Sequence, residues 1–250
     1  SLGHQYQSSR TSNGISPSYP SSWRPAVTSA LLVRQIDHAM HSKISTILFD
    51  ADGVLQYPAG DYEFVFRNLL GSRANEAEQF FTEMFLIERA SLDGKGDFQE
   101  DLVELLERWD LLQGVEQVLT LSTQIKPSAA ILSTISALRS CGVLCCLASN
   151  QQSYRARFMS KSLGYSNCFD KEFYSCDLGF VKPDPRYFES VLAELGKPPN
   201  TILFIDDQEA NVVAARSVGL LGTVFSASHE TGDQILRAIL SDYEISVQSV

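Results

Sequence analysis

Residues Ile47-Leu48-Phe49-Asp50-Ala51-Asp52-Gly53-Val54-Leu55 run from an apolar stretch straight into two carboxylates one residue apart, then a glycine. A short, continuous apolar run predicts a strand buried on both faces, as in a parallel sheet. Its end delivers Asp50 and Asp52 to the rim of that sheet, where Gly53 supplies an unusual backbone angle and lets a phosphate approach the main chain. Alone, Asp-x-Asp-Gly also fits a turn or a calcium loop. The EF-hand form fails, because Leu55 stands where the loop glycine belongs. Residues 93–104 imitate a calcium loop too, but have Lys95 and Phe98 in place of a ligand and that glycine.

Outward from this stretch, β-rich runs alternate with helical patterns, which predicts an α/β fold with a doubly wound parallel sheet. Strands are expected over residues 45–49, 143–148, 172–175, 201–205 and 221–225, and helices over 128–140, 153–163, 185–195 and 209–218. Asp184 and Pro185 form a strong start signal for the third of these helices. The alternation breaks between residues 61 and 126, where only helical patterns occur, including 74–90 and 98–109 around the turn Asp93-Gly94-Lys95-Gly96. The expected organisation is therefore a catalytic core of residues 43–60 and 127–250 with an all-helical insertion of residues 61–126.

In an open α/β sheet, ligands bind beyond the carboxyl ends of the strands. The expected second strand ends in Ser149-Asn150, a pair able to bond a phosphate oxygen and equally able to cap a helix. Lys182 precedes Pro183 between a strand end and the helix begun by Pro185. The fourth strand ends in Asp206-Asp207, adjacent carboxylates that repel unless a cation or hydrogen bonds compensate them.

The series Asp-x-Asp-Gly, Ser-Asn, Lys-Pro, Asp-Asp, each at a strand end and with a helical insertion after the first, resembles the haloacid dehalogenase-like hydrolase superfamily over residues 44–240. The resemblance implies a Rossmann-like core and a helical cap of the kind found in its phosphatases, phosphomutases and dehalogenases. It implies that Asp50 is the nucleophile that becomes an aspartyl-phosphate and that Asp52 is the general acid and base. It further implies that Gly53, Ser149, Asn150 and Lys182 bind phosphate. Magnesium would be held by Asp50, Asp206, Asp207 and the backbone carbonyl of Asp52. Dehalogenases lack the second aspartate, so the expected reaction is hydrolysis of a small phosphorylated metabolite, a sugar or polyol monophosphate. The alternatives are a phosphomutase using the same residues and a silent binding module on the same fold. Arg67, Arg89 and Lys95 are candidate substrate contacts from the cap.

Composition narrows the partners. A formal net charge of −10 and pI near 4.9 disfavour nucleic acid and anionic membrane. The insertion carries most of that excess, and charged helix faces of this kind are ordinarily solvated. No apolar stretch approaches the roughly 20 residues of a transmembrane helix. Five cysteines without metal-ligand spacing or a disulfide framework fit a reducing cytoplasm. Residues 1–42, with ten serines and Asp37 as their one acidic residue, read as a flexible extension or added sequence rather than a targeting signal. None of the four histidines lies near a strand-end motif.

Overall fold

The computed structural model describes residues 43–227 and 230–246, so the expectation for residues 1–42 and all four histidines lie outside the described residues. Strand β1 (Thr46–Phe49) leads through the Asp50–Gly53 turn into β2 (Gln56–Pro58). Four helices follow: α1 (Tyr62–Leu70), α2 (Ala77–Ser91), α3 (Phe98–Arg108) and α4 (Val115–Ser122). Then β3 (Ile125–Pro127) pairs antiparallel with β2. The chain continues through α5 (Ala129–Ser140), β4 (Leu144–Ser149), α6 (Ser153–Arg157), α7 (Tyr165–Cys168), β5 (Lys171–Tyr174) and α8 (Ser175–Leu178). It closes with α9 (Pro185–Leu195), β6 (Ile202–Asp206), α10 (Glu209–Ser217), β7 (Leu221–Val224) and α11 (Gly232–Asp242).

The five longer strands form one parallel sheet in the order β5-β4-β1-β6-β7, as the alternation predicted. Every residue of β1 and β6 is buried, because helices cover both faces. Ile47 and Phe49 pack on one side with Ile131, Ile135 and Leu236, while Leu48 packs on the other with Tyr187, Phe188 and Ala215. Cys145 and Cys146 follow the same alternation and join opposite cores, which is why these neighbours act as small apolar side chains and not as a reactive pair. Burial pushes the Cys146 thiol up to about 12.

Helices α1 to α4 surround a core of their own, in which Phe80 meets Phe66 and Trp109 edge-on at 5.3 and 5.2 Å. In α3 the buried Phe98, Leu102, Leu105 and Leu106 recur at helical spacing, Asp97 caps the first turn, and Glu100, Glu104 and Glu107 face solvent. In α3 the acidic character of the insertion is thus a solvated outer face.

The structure departs from expectation in three places. The helix expected from residue 74 starts at Ala77, because Gly71–Glu76 forms a tighter helix in which Arg73 leaves helical geometry and donates to the Trp109 carbonyl. The helix over residues 153–163 is regular only to Arg157 and then widens into a π turn over Phe158–Ser162. The β2–β3 pair at the root of the insertion escaped the sequence pattern, since three-residue strands carrying Pro58 and Pro127 give no periodic signal.

The turn between α2 and α3 touches the sheet domain. Gly94 has φ +74°, and a Cβ there would collide with the Cys176 carbonyl in α8. Gly94→Ala is therefore expected to cost about 1–2 kcal/mol, which lowers the melting temperature by roughly 2–8 °C for a chain of this size. A thermal melt unchanged by the substitution would show that the turn does not press on α8.

Candidate active site

Three strand ends converge on one ammonium. Lys182 Nζ donates to Asp50 Oδ1 at 2.9 Å, the Ala148 carbonyl at 2.8 Å and Asp206 Oδ2 at 2.7 Å, joining the ends of β1, β4 and β6. The lysine and Asp206 are buried and Asp50 nearly so. Burial pushes the Asp50 carboxyl well above its usual range, Lys182 opposes the shift, and Asp206 adds repulsion. Burial also disfavours the Lys182 charge, but the two carboxylates outweigh it and raise its proton affinity.

Asp52 points elsewhere. Arg155 holds it bidentately, with Nη1 to Oδ2 at 2.6 Å and Nη2 to Oδ1 at 2.8 Å, while Gln56 and Gln151 donate at 3.0 and 2.7 Å. Burial acts to raise the Asp52 carboxyl, but the arginine and the two amides together hold it below its ordinary value. Arg155, Gln56 and Gln151 do not stand out in the sequence. Nothing in the local sequence marks them, since Arg155 falls in the last turn of the five-residue α6, where a basic side chain is ordinary.

The expected phosphate ligands take more varied positions. Ser149 is buried at the end of β4, where its hydroxyl accepts from Gln151 Nε2 at 3.1 Å. Asn150 instead grips the main chain of Lys182, donating to its carbonyl and accepting from its N–H, both at 2.9 Å. Its side chain therefore positions the lysine and does not reach for a ligand. The Gly53 N–H donates to the Gln56 carbonyl, and a Cβ at Gly53 would lie 2.6 Å from Asp207 Oδ2. The glycine makes room for Asp207.

Asp50, Asp206 and Asp207 bring carboxylate oxygens within 4.8 Å of one another. Asp206 also accepts from Asn211 and the Gln208 N–H, and Gln208 Nε2 bonds Asp207 at 2.8 Å. Burial and the neighbouring Asp206 still push the Asp207 carboxyl up. One ammonium among three carboxylates leaves two negative charges unbalanced, so a divalent cation with oxygen ligands fits this donor set. The Asp52 carboxylate stands apart, neutralised by Arg155.

A cavity of about 350 Å³ lies between Asp52 and the helical insertion. Tyr62, Phe66, Phe81, Met84 and Phe98 supply much of its wall, with Arg155 and Glu88 as its charged side chains besides Asp52. Arg67, Arg89 and Lys95 do not line it. Arg67 pairs with Glu63 in α1, and Lys95 turns outward to Asp93. The side chains that the insertion turns to this cavity are thus mostly apolar, and the cation at its wall, Arg155, comes from α6.

Residues 44–219 match the family model described as haloacid dehalogenase-like hydrolase. The chain is 39% identical over 75 residues to flavin mononucleotide hydrolase 1 of Arabidopsis thaliana, covering 30% of this chain and 29% of that protein. It is 29% identical over 98 residues to the sesquiterpene phosphatase astK of Aspergillus oryzae, covering 39% and 50% respectively. It thus spans half or less of the length of these curated relatives. Among solved structures, a HAD family enzyme of Bacteroides thetaiotaomicron in complex with magnesium and inorganic phosphate superposes with TM-score 0.61 and 22% identity over 74% of this chain and 96% of that one, a likeness of fold.

If the carboxylate cluster holds a divalent cation, magnesium in excess raises the melting temperature of the protein. At 100 times its dissociation constant the ion adds about 2.7 kcal/mol. Asp206→Asn and Asp207→Asn are expected to reduce that rise, as read by thermal melts with magnesium and with chelator. Equal melting temperatures of the unaltered protein in both conditions would remove the metal site.

Proposed function

Because this chain belongs to the haloacid dehalogenase-like hydrolases, we propose that it hydrolyses a phosphate monoester of a small molecule, with magnesium as cofactor and through an aspartyl-phosphate on Asp50. One observation carries the reading: Asp50 sits in the three-carboxylate cluster bound by Lys182, while Asp52 lies two residues on and faces the cavity. The phosphatase named among the relatives supports it. So does the magnesium and phosphate complex of the structural neighbour. Residues 43–60 and 127–250 form the catalytic core in this reading, and residues 61–126 form the cap over the cavity.

Asp50, Asp206, Asp207 and the Asp52 carbonyl would hold magnesium, which supplies positive charge for the phosphoryl oxygens. An Asp50 carboxylate oxygen attacks phosphorus, the bond to the ester oxygen breaks, and Asp52 protonates that departing oxygen. The Asp52 carboxylate then takes a proton from water, whose oxygen attacks the aspartyl-phosphate and releases inorganic phosphate from Asp50. Lys182 orients Asp50 and balances its charge, and Ser149 offers a hydroxyl to the phosphoryl group. Arg155 keeps Asp52 ionised, which suits the second step. The first step needs a proton on Asp52, and an arriving phosphate dianion favours its uptake by adding negative charge opposite.

A phosphomutase needs a second phosphate held away from Asp50. The cavity offers Arg155 for it, and that guanidinium is committed to Asp52. The apolar wall likewise disfavours the sugar or polyol leaving group expected from sequence.

Asp50→Asn should give a folded protein with no turnover of an aryl phosphate, since the amide keeps the shape of the side chain and loses the attacking carboxylate. Asp52→Asn should slow alkyl esters more than aryl esters, within about 10²–10⁴-fold, because an alkoxide leaves poorly without a proton. Turnover by Asp50→Asn comparable to the unaltered protein would overturn the mechanism, and equal losses for both esters would remove Asp52 from the acid role.

A further inference from the structure

The cavity beside Asp52 carries information about the leaving group. Aromatic rings and the Met84 thioether make most of its wall. Several polar groups on that wall already have partners. The Tyr62 hydroxyl donates to the Leu121 carbonyl at 3.3 Å, the Ser122 hydroxyl to the Leu119 carbonyl at 2.8 Å, and Arg155 to both Asp52 and the Ser122 carbonyl. Glu88, a single carboxyl on α2, remains for any hydroxylated ligand. A sugar ring placed here would lose water from several hydroxyls and regain few hydrogen bonds, a net cost for each group left unpaired. A hydrocarbon in the same place gains from burial.

We infer that the phosphate monoester bound by this site carries an apolar leaving group, aliphatic or aromatic, seated against Phe66, Phe81, Met84 and Phe98. The assignment rests on the phosphatase reading above for its chemistry and on the cavity wall for its substrate class. At the ~30 Å³ that a water molecule occupies in the liquid, the cavity holds about a dozen non-hydrogen atoms. Phe85 lines the same space yet is 67% exposed, so the mouth is open at α2 and a longer chain passes out beside it. The leaving-group oxygen then lies at the Asp52 end and the hydrocarbon under the helices.

The test uses ethyl, butyl, hexyl and octyl phosphate, whose alkoxides leave with nearly equal difficulty, so that differences report the wall. kcat/KM is expected to rise about three- to fourfold per buried methylene. Glycerol 3-phosphate should be poorer than butyl phosphate. The matching alkylphosphonates, which cannot be hydrolysed, should bind more tightly with length in calorimetry. Met84→Gln and Phe85→Asn, checked for folding by circular dichroism, should lower the octyl-to-ethyl ratio of kcat/KM. Turnover that is flat or falling with chain length, with glycerol 3-phosphate preferred, would overturn the inference while leaving the phosphatase intact. Phosphonate affinity that rises with length, with no ester hydrolysed, would uphold the apolar site and overturn the phosphatase reading. Absence of length dependence in both rate and binding would reject the apolar site outright.

Discussion

The buried ammonium of Lys182 is the contact on which the rest of the site depends. Its three hydrogen bonds tie the ends of β1, β4 and β6 together in a region from which water is excluded. A charge buried in this way is tolerated only with partners, and removing one partner typically costs about 3–5 kcal/mol. The dependence runs in both directions. Asp50 and Asp206 are held within reach of each other because the lysine stands between them, and the lysine stays buried because both carboxylates meet it. Asn150 fixes the lysine backbone at both its N–H and its carbonyl, so a side chain from β4's end sets where a residue 32 positions later places its charge.

Two aspartates one residue apart thereby acquire opposite environments. Asp50 sits among carboxylates with a shared ammonium, and its proton affinity rises. Asp52 is met by a guanidinium and two amides with no carboxylate among its hydrogen-bond partners, and its proton affinity falls. A strand sends successive side chains to opposite faces, but residues two apart diverge only where the strand has ended. The turn begun at Ala51 does this: its carbonyl accepts from the N–H groups of Val54, Leu55 and Gln56. Gly53 completes the turn with φ +81° and leaves the space that Asp207 uses.

The sequence made the sheet and its strand-end carboxylates legible for one reason, whereas the role of Lys182 came only with the family resemblance. Parallel strands buried on both faces are continuous apolar runs, and a polar residue at the end of such a run has little to do but serve the rim. Asp50, Ser149 and Asp206 all follow that rule. Arg155 and Gln151 were hidden because they follow a strand end within an ordinary polar segment, where helix capping explains the residue types equally well. Gln152 does cap α6, accepting from the N–H groups of Tyr154 and Arg155. Its neighbours reach Asp52 only because of where that helix starts. The fold class was thus readable from periodicity, whereas the partners of Asp52 depend on three-dimensional placement that local pattern does not encode.

The helical insertion departs from its sequence pattern in a more instructive way. Its charge suggested how it treats ligands, yet charge on an amphipathic helix describes the face turned to water. The face turned inward is set by the apolar positions. In α3, Phe98 and Leu102 look inward while Glu100 and Glu104 look out. The basic side chains Arg67 and Lys95 follow the outer face and pair with Glu63 and Asp93. A cap that must shield a reacting centre from water presents its apolar face to that centre. On the phosphatase reading proposed above, selectivity for the leaving group falls to Phe66, Phe81, Met84 and Phe98, the same class of residues that hold the insertion together.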